Sequence, residues 1–156
     1  MSRGIRDTLR TELGEEVRAL QADVDALDEA VAAYLGINRT DLRCLDVLMQ
    51  AGSATPGQLG TRLGLTTGSV TAMLDRLAKL GYLTRSADPK DRRKITVQPT
   101  SEALRKGGEV YGPLAEAGAR DVARYTEAEL RLLLDFVRRS RRLQQEHVAR
   151  VRAMAR

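Results

Sequence analysis

One cysteine, one histidine, one phenylalanine and no tryptophan occur in the 156 residues of this chain, and each scarcity removes a class of protein. Cys44 alone cannot close an internal disulfide, and Cys44 with His147 cannot furnish the ligand set of a tetrahedral metal site. No apolar run approaches the roughly 20 residues that a membrane helix needs. The opening Met1-Ser2-Arg3-Gly4-Ile5-Arg6 lacks the apolar stretch of a secretory signal, so a cytoplasmic protein is expected. No Ser/His/Asp or Cys/His spacing, Gly-rich phosphate loop or isolated carboxylate pair stands out, so neither an enzyme nor a cofactor is expected. What is present is an apolar content of 42%, enough for one compact domain or two small lobes sharing a core.

A formal charge of +5 and an isoelectric point near 9.8 suit a polyanionic partner such as nucleic acid. The charge is unevenly spread. Residues 1–35 set four arginines against eight carboxylates, a net of −4, whereas residues 85–94 carry +3 around a turn. From residue 138 onward seven arginines face only Glu146, a net of +6. That last cluster reads equally as a solvated helix face, as a DNA contact, or as the complement of the acidic amino-terminal helix.

Periodicity supplies the organisation. Leu13, Val17, Leu20, Val24, Leu27, Val31 and Leu35 recur at steps of three or four, an apolar stripe suited to packing against another helix. Gly36 and Asn38 read as its end. A second helix is expected from about Thr40 to Gln50, stopped by Ala51-Gly52, with Leu42, Leu45, Val47 and Leu48 apolar. Cys44 lies inside it and reads as a small buried hydrophobe rather than a redox sensor, since only Arg39 and Arg43 are near enough in sequence to depress its pKa.

Thr55-Pro56 opens a short helix, Thr as cap and Pro at the first helical position, which Gly64-Leu65 breaks. Thr66 or Thr67 then caps another, whose Val70, Leu74, Leu77 and, less regularly, Leu80 face inward before Gly81. Two short helices around a tight Gly-containing turn make a helix-turn-helix. The free face of the second carries Thr67, Ser69, Thr71, Ala72, Asp75 and Arg76, short polar groups able to approach phosphates and base edges. Next come two strand-like runs, Tyr82-Leu83-Thr84 and Lys94-Ile95-Thr96-Val97. Their turn, Asp88-Pro89-Lys90-Asp91-Arg92-Arg93, is densely basic, as a wing reaching the DNA backbone or minor groove would be.

These segments resemble the MarR family of bacterial regulators in order and spacing. The likeness runs through Leu65-Thr66-Thr67-Gly68-Ser69-Val70-Thr71, Leu74-Asp75-Arg76-Leu77, Gly81-Tyr82-Leu83-Thr84-Arg85, Asp88-Pro89-Lys90-Asp91-Arg92-Arg93 and Thr100-Ser101-Glu102-Ala103. The resemblance implies a recognition helix in which Thr66, Thr67, Ser69, Thr71 and Arg76 contact DNA, and a wing that contacts it through Arg85, Lys90, Asp91, Arg92 and Arg93. Arg93 would be the wing-tip arginine entering the minor groove, Asp91 the acid that steadies the tip, and Arg85 the arginine at the wing base. Where many relatives have arginine after the serine or threonine of the recognition helix, this chain has Ala72. More of the readout then falls to Thr67, Ser69, Thr71 and Arg76.

Beyond the wing, Thr100 or Ser101 begins a helix toward Tyr111, with an interruption or kink permitted at Pro113. Thr126 and Glu129 form a capping box for a last helix whose stripe includes Leu130, Leu133, Leu134, Val137, Leu143, Val148 and Val151. The terminal stripes are too long for a small winged helix to cover, so Leu13, Val17, Leu20, Val24, Leu27, Leu143, Val148 and Val151 are assigned to dimerisation. The alternative is intramolecular packing of both ends.

The expected fold is mainly α, a winged helix-turn-helix with a small β-hairpin wing and an all-helical dimerisation region from both termini. Its domains are residues 1–38 (amino-terminal dimerisation helix), 39–100 (DNA-binding domain) and 101–156 (carboxy-terminal dimerisation helices). The expected partners are double-stranded DNA, at a pseudo-palindromic operator repressed by promoter occlusion, and a second copy of the chain. By resemblance, either cysteine oxidation or a small, often phenolic or anionic effector would release the DNA, the effector from a pocket that Tyr34, Tyr111 and Tyr125 would line, although each is expected first as core. The other readings are an architectural DNA-coating protein of low sequence specificity and a helical adaptor that binds no DNA.

Overall fold

A computed structural model describes residues 3–87, 91 and 94–154. Lys90, Arg92 and Arg93 of the expected wing lie outside the described residues. The chain divides into two compact units, Met1–Val110 and Tyr111–Arg156.

The first unit opens with α1 (Arg3–Leu35), followed by α2 (Arg39–Ala51), α3 (Pro56–Leu63) and α4 (Thr67–Lys79). An antiparallel hairpin of β1 (Leu83–Ala87) and β2 (Ile95–Pro99) leads into α5 (Ser101–Val122). The apolar stripe of α1 does two jobs. Its last turns bury Val31, Ala32 and Leu35, while Leu13, Val17, Leu20 and Val24 stay exposed, and the stripe extends back through Leu9 to Ile5. Around the buried turns, α2 contributes Leu42, Cys44, Leu45 and Leu48, α3 Leu59 and Leu63, and α4 Val70, Met73, Leu74 and Leu77. Each leucine so buried stabilises the unit by about 1.5–3 kcal/mol, so a core of this kind holds three short helices that would be marginal alone.

Local signals place the ends. Thr55 caps α3 in a reciprocal box with Gln58, with Pro56 at the first position. Gly64 takes φ +69, the left-handed conformation that lets the chain turn at once into α4. Asn38, expected as the stop of the first helix, instead caps α2: its extended backbone (φ −91, ψ 170) and its box with Asp41 belong to a helix start. Leu80, expected inward, is exposed, because α4 ends at Lys79 and Leu80 is its cap. Met73, which the expected inward face did not include, is buried along with Val70, Leu74 and Leu77.

The hairpin pairs from Leu83↔Pro99 to Ala87↔Ile95, so β1 runs further toward the wing tip than the expected Tyr82-Leu83-Thr84. Its base is stitched to the α2–α3 loop, where Ala54 N–H donates to the Val97 carbonyl (3.1 Å) and Val97 N–H to that of Ala54 (2.8 Å). The buried Tyr82 hydroxyl donates to the Leu35 carbonyl at the end of α1 (2.9 Å) and receives the Lys106 ammonium of α5 (3.1 Å). Thr100 caps α5 through Ala103 N–H (3.1 Å). The helix continues to Val122 with Pro113, where an interruption or kink was permitted, inside it.

The second unit comprises the rest of α5 and α6 (Glu127–Met154). Thr126 N–H donates to Glu129 Oε2 (2.8 Å), and Glu129 N–H donates to Thr126 Oγ1 (3.4 Å), the expected box. No residue of α6 is buried; Leu133, Leu134, Val137, Leu143, Val148 and Val151 are all exposed. Tyr34 and Tyr125 are exposed and Tyr111 is partly so, which removes the expectation that each belongs to the core.

Candidate nucleic-acid interface

The first turn of α4 is exposed at Thr66, Thr67, Gly68 and Ser69, with Thr71 and Ala72 one turn on. Thr66 caps it: Ser69 N–H donates to Thr66 Oγ1 (3.3 Å), and the two side-chain oxygens share a hydrogen bond (2.9 Å). The Thr71 hydroxyl donates to the Thr67 carbonyl (3.0 Å), which leaves its oxygen as an acceptor toward any outside group. A helix amino terminus carries about half a positive charge, so an exposed first turn of small hydroxyl residues and glycine can approach an anionic backbone closely. These elements bring Thr66, Thr67, Ser69 and Thr71 together on one accessible end of the helix.

The other half of α4 is held from both sides. On one side Arg85 of β1 donates through Nη2 to Asp75 Oδ1 (2.6 Å), tying the wing base to the helix. Arg85 was expected as a DNA contact; its guanidinium is engaged within the protein, and this exposed pair adds about 0–1 kcal/mol. On the other side Arg76 grips Asp41 of α2 with two bonds, Nη2 to Oδ1 (2.7 Å) and Nε to Oδ2 (3.3 Å). That hydrogen bonding, and then the charge of Asp41, raise the Arg76 pKa above its ordinary value. The carboxylate is 2% exposed and the arginine side chain 49% exposed. Adjacent residues of opposite charge thus pin the helix to two different neighbours.

Asp41 is the residue that sequence reasoning missed. The available signal was Asn38-x-x-Asp41, a capping-box spacing, but nothing local indicates that the same carboxylate meets an arginine 35 positions later. Arg39 beside it reaches back to α1, donating to Asp25 Oδ1 (2.7 Å) and lying 3.6 Å from Asp28. At the wing, Asp91 is half-exposed and 3.9 Å from Lys94.

Cys44 is fully buried, as expected for a small core residue. Burial, and then the nearby charge of Asp41, push its thiol from the ordinary 9.0 up to about 12. Neutral conditions leave it a thiol, which is neither nucleophilic nor readily oxidised. Labelling of the native protein by an aromatic disulfide near neutral pH is therefore expected to be slow and to become fast in denaturant. Because the folded-state value is raised, the contribution of the protonated thiol to stability is present below pH 9 and is lost as pH rises from 9 toward about 12. Rapid native labelling, or peroxide-driven DNA release that Cys44→Ser abolishes, would contradict the assignment.

A family model described as MarR family matches residues 37–95. The HTH-type transcriptional regulator YcgE of Bacillus subtilis (strain 168) is 36% identical over 151 residues, covering 97% of this chain and 98% of its own. Among solved structures, the YusO protein from Bacillus subtilis aligns with a TM-score of 0.58 at 26% identity, over 93% of this chain and 99% of that one. A mutant MarR from E. coli complexed with operator DNA shares the fold, with a TM-score of 0.54 at 22% identity, over 83% of this chain and 93% of its own.

Proposed function

This chain belongs to the MarR family of winged-helix transcriptional regulators, not to a class of enzymes, and from that premise we propose that it is a homodimeric, ligand-responsive repressor of a pseudo-palindromic operator. The observation that carries the reading is the recognition helix. Its first turn is exposed while its second half is pinned by Asp75–Arg85 and Asp41–Arg76, so reading groups are presented on a fixed support. Thr67, Ser69 and Thr71 would enter the major groove, and Lys90, Arg92 and Arg93 would reach the flanking backbone or minor groove. Operator DNA as partner is supported by the E. coli MarR complex, which has the same fold.

Dimerisation is supported by the exposed stripes of α1 and α6, whose apolar residues have no cover within their own units. A second copy would supply that cover and set two recognition helices one DNA turn apart, about 34–36 Å. Repression would follow from occupation of a promoter. Release would be driven by a small molecule rather than by oxidation, since Cys44 is buried and protonated.

Nuclease footprinting on the DNA flanking its own gene tests the reading. One discrete protected pseudo-palindrome is expected. Continuous protection that spreads with concentration would make the protein a DNA-coating one, and no protection at all would favour a helical adaptor.

A further inference from the structure

We propose that Asp41 of α2 is a positioning residue for sequence readout: it holds the Arg76 guanidinium so that its remaining edge is aimed, already ordered, at the operator. The inference rests on the regulator reading above.

Arg76 presents donors along more than one edge of a planar fork. The Nε and Nη2 donors meet Asp41 in two parallel bonds, and the Nη1 end is not used in that grip. The side chain stays half-exposed on the helix flank that carries Ser69 and Ala72, at the three- and four-residue steps that align a helix face. With Ala72 small, these residues border an open cleft between α4 and the start of α2 that Asn38, Arg39 and Thr40 complete. An arginine at such a place would otherwise sample many rotamers and lose that freedom on binding; here the geometry is set in the free protein.

The support behind Arg76 is rigid. Asp41 receives Asn38 N–H at Oδ2 (3.5 Å) while its own N–H donates to Asn38 Oδ1 (2.9 Å), so the carboxylate is fixed to the first turn of α2, where the helix dipole favours it. Leu42, Leu45 and Leu48 lock the same helix into the core, and Arg39 ties it to Asp25. A buried carboxylate is a poor device for stability alone, because apolar packing in its place is often as good or better. Under a half-exposed arginine of the recognition helix it has a use that an apolar residue cannot serve.

The test compares Asp41→Asn, Arg76→Lys and the double variant with the native protein, titrating the footprinted duplex and a scrambled duplex of equal length and composition. Thermal melting by circular dichroism accompanies each titration. Asp41→Asn is expected to lower operator affinity about tenfold or more while changing the scrambled duplex by less than about twofold. Arg76→Lys keeps the charge but not the fork, and is expected to lose the same operator preference. The double variant should lose no more than Arg76→Lys alone, because the two residues act as one unit. A structural clamp would lower both duplexes equally, or lower only the melting temperature; either result overturns the proposal. If Asp41→Asn does not fold, Arg76→Lys, which leaves the Asn38–Asp41 box intact, decides on the same criterion. A native protein that does not distinguish the two duplexes removes the regulator reading and this inference with it. A native preference that survives in Asp41→Asn removes this inference alone.

Discussion

The variant carrying Leu20→Glu and Val24→Glu together is expected to be monomeric and to lose operator binding almost entirely. Both side chains lie at the carboxy-terminal end of the exposed part of the α1 stripe, 63% and 50% exposed, and close the run Ile5, Leu9, Leu13, Val17, Leu20 and Val24. Burying a leucine or valine is worth about 1.5–3 kcal/mol, and a two-fold interface doubles every substitution, so about 6 kcal/mol or more of association free energy is removed. That is about four orders of magnitude in the dimer dissociation constant. New carboxylates would also enter a segment already at −4. The winged helix should remain folded, because the turns of α1 that enter its core are those of Val31, Ala32 and Leu35. Light scattering reads the mass, circular dichroism the fold, and anisotropy titration the operator affinity. A native chain that is monomeric at micromolar concentration would end the dimer proposal, as would a double variant that stays dimeric.

How much of this could be read from the chain alone follows the range of each signal. Caps and turns are local, so Thr55-Pro56, Gly64, Thr66 and the Thr126–Glu129 box were legible as residue types at fixed offsets. So was the apolar stripe of α1, because a three-four period needs no knowledge of its partner. Asn38 was placed at the wrong end of a loop, since glycine, asparagine and their neighbours serve both as helix stops and as helix starts, and only the extended backbone decides. Leu80 continued a period that the helix itself did not. The least legible feature was the use made of charge. Arg76 and Arg85 read as cations facing DNA, and the acidic partners that the fold gives them, Asp41 for one and Asp75 for the other, were not legible. Asp41 and Arg76 are 35 residues apart, and their meeting depends on the packing of α2 against α4, which no local pattern encodes.

Arg93→Ala and Thr71→Val are expected to separate the two physical terms of operator binding, because the wing and the recognition helix act through different chemistry. Arg93 belongs to the basic run Lys90-Asp91-Arg92-Arg93-Lys94, carried beyond a hairpin whose last pair is Ala87↔Ile95. A guanidinium that neutralises a phosphate releases a counterion, so its removal should flatten the salt dependence by about one unit per half-site. The affinity lost should be similar on operator and scrambled duplexes, and large at low salt. Thr71 carries no charge, and its hydroxyl hydrogen is directed to the Thr67 carbonyl at 3.0 Å. What it offers a base is therefore an acceptor, suited to the amino group of adenine or cytosine in the major groove. Valine keeps the shape and a methyl for apolar contact while deleting that acceptor. The operator alone should then weaken, by about 1–3 kcal/mol, with the salt slope unchanged. Titrations of both variants on both duplexes at several salt concentrations make the comparison. An unaltered slope for Arg93→Ala, or an equal loss on both duplexes for Thr71→Val, would show that this division between wing and helix is wrong.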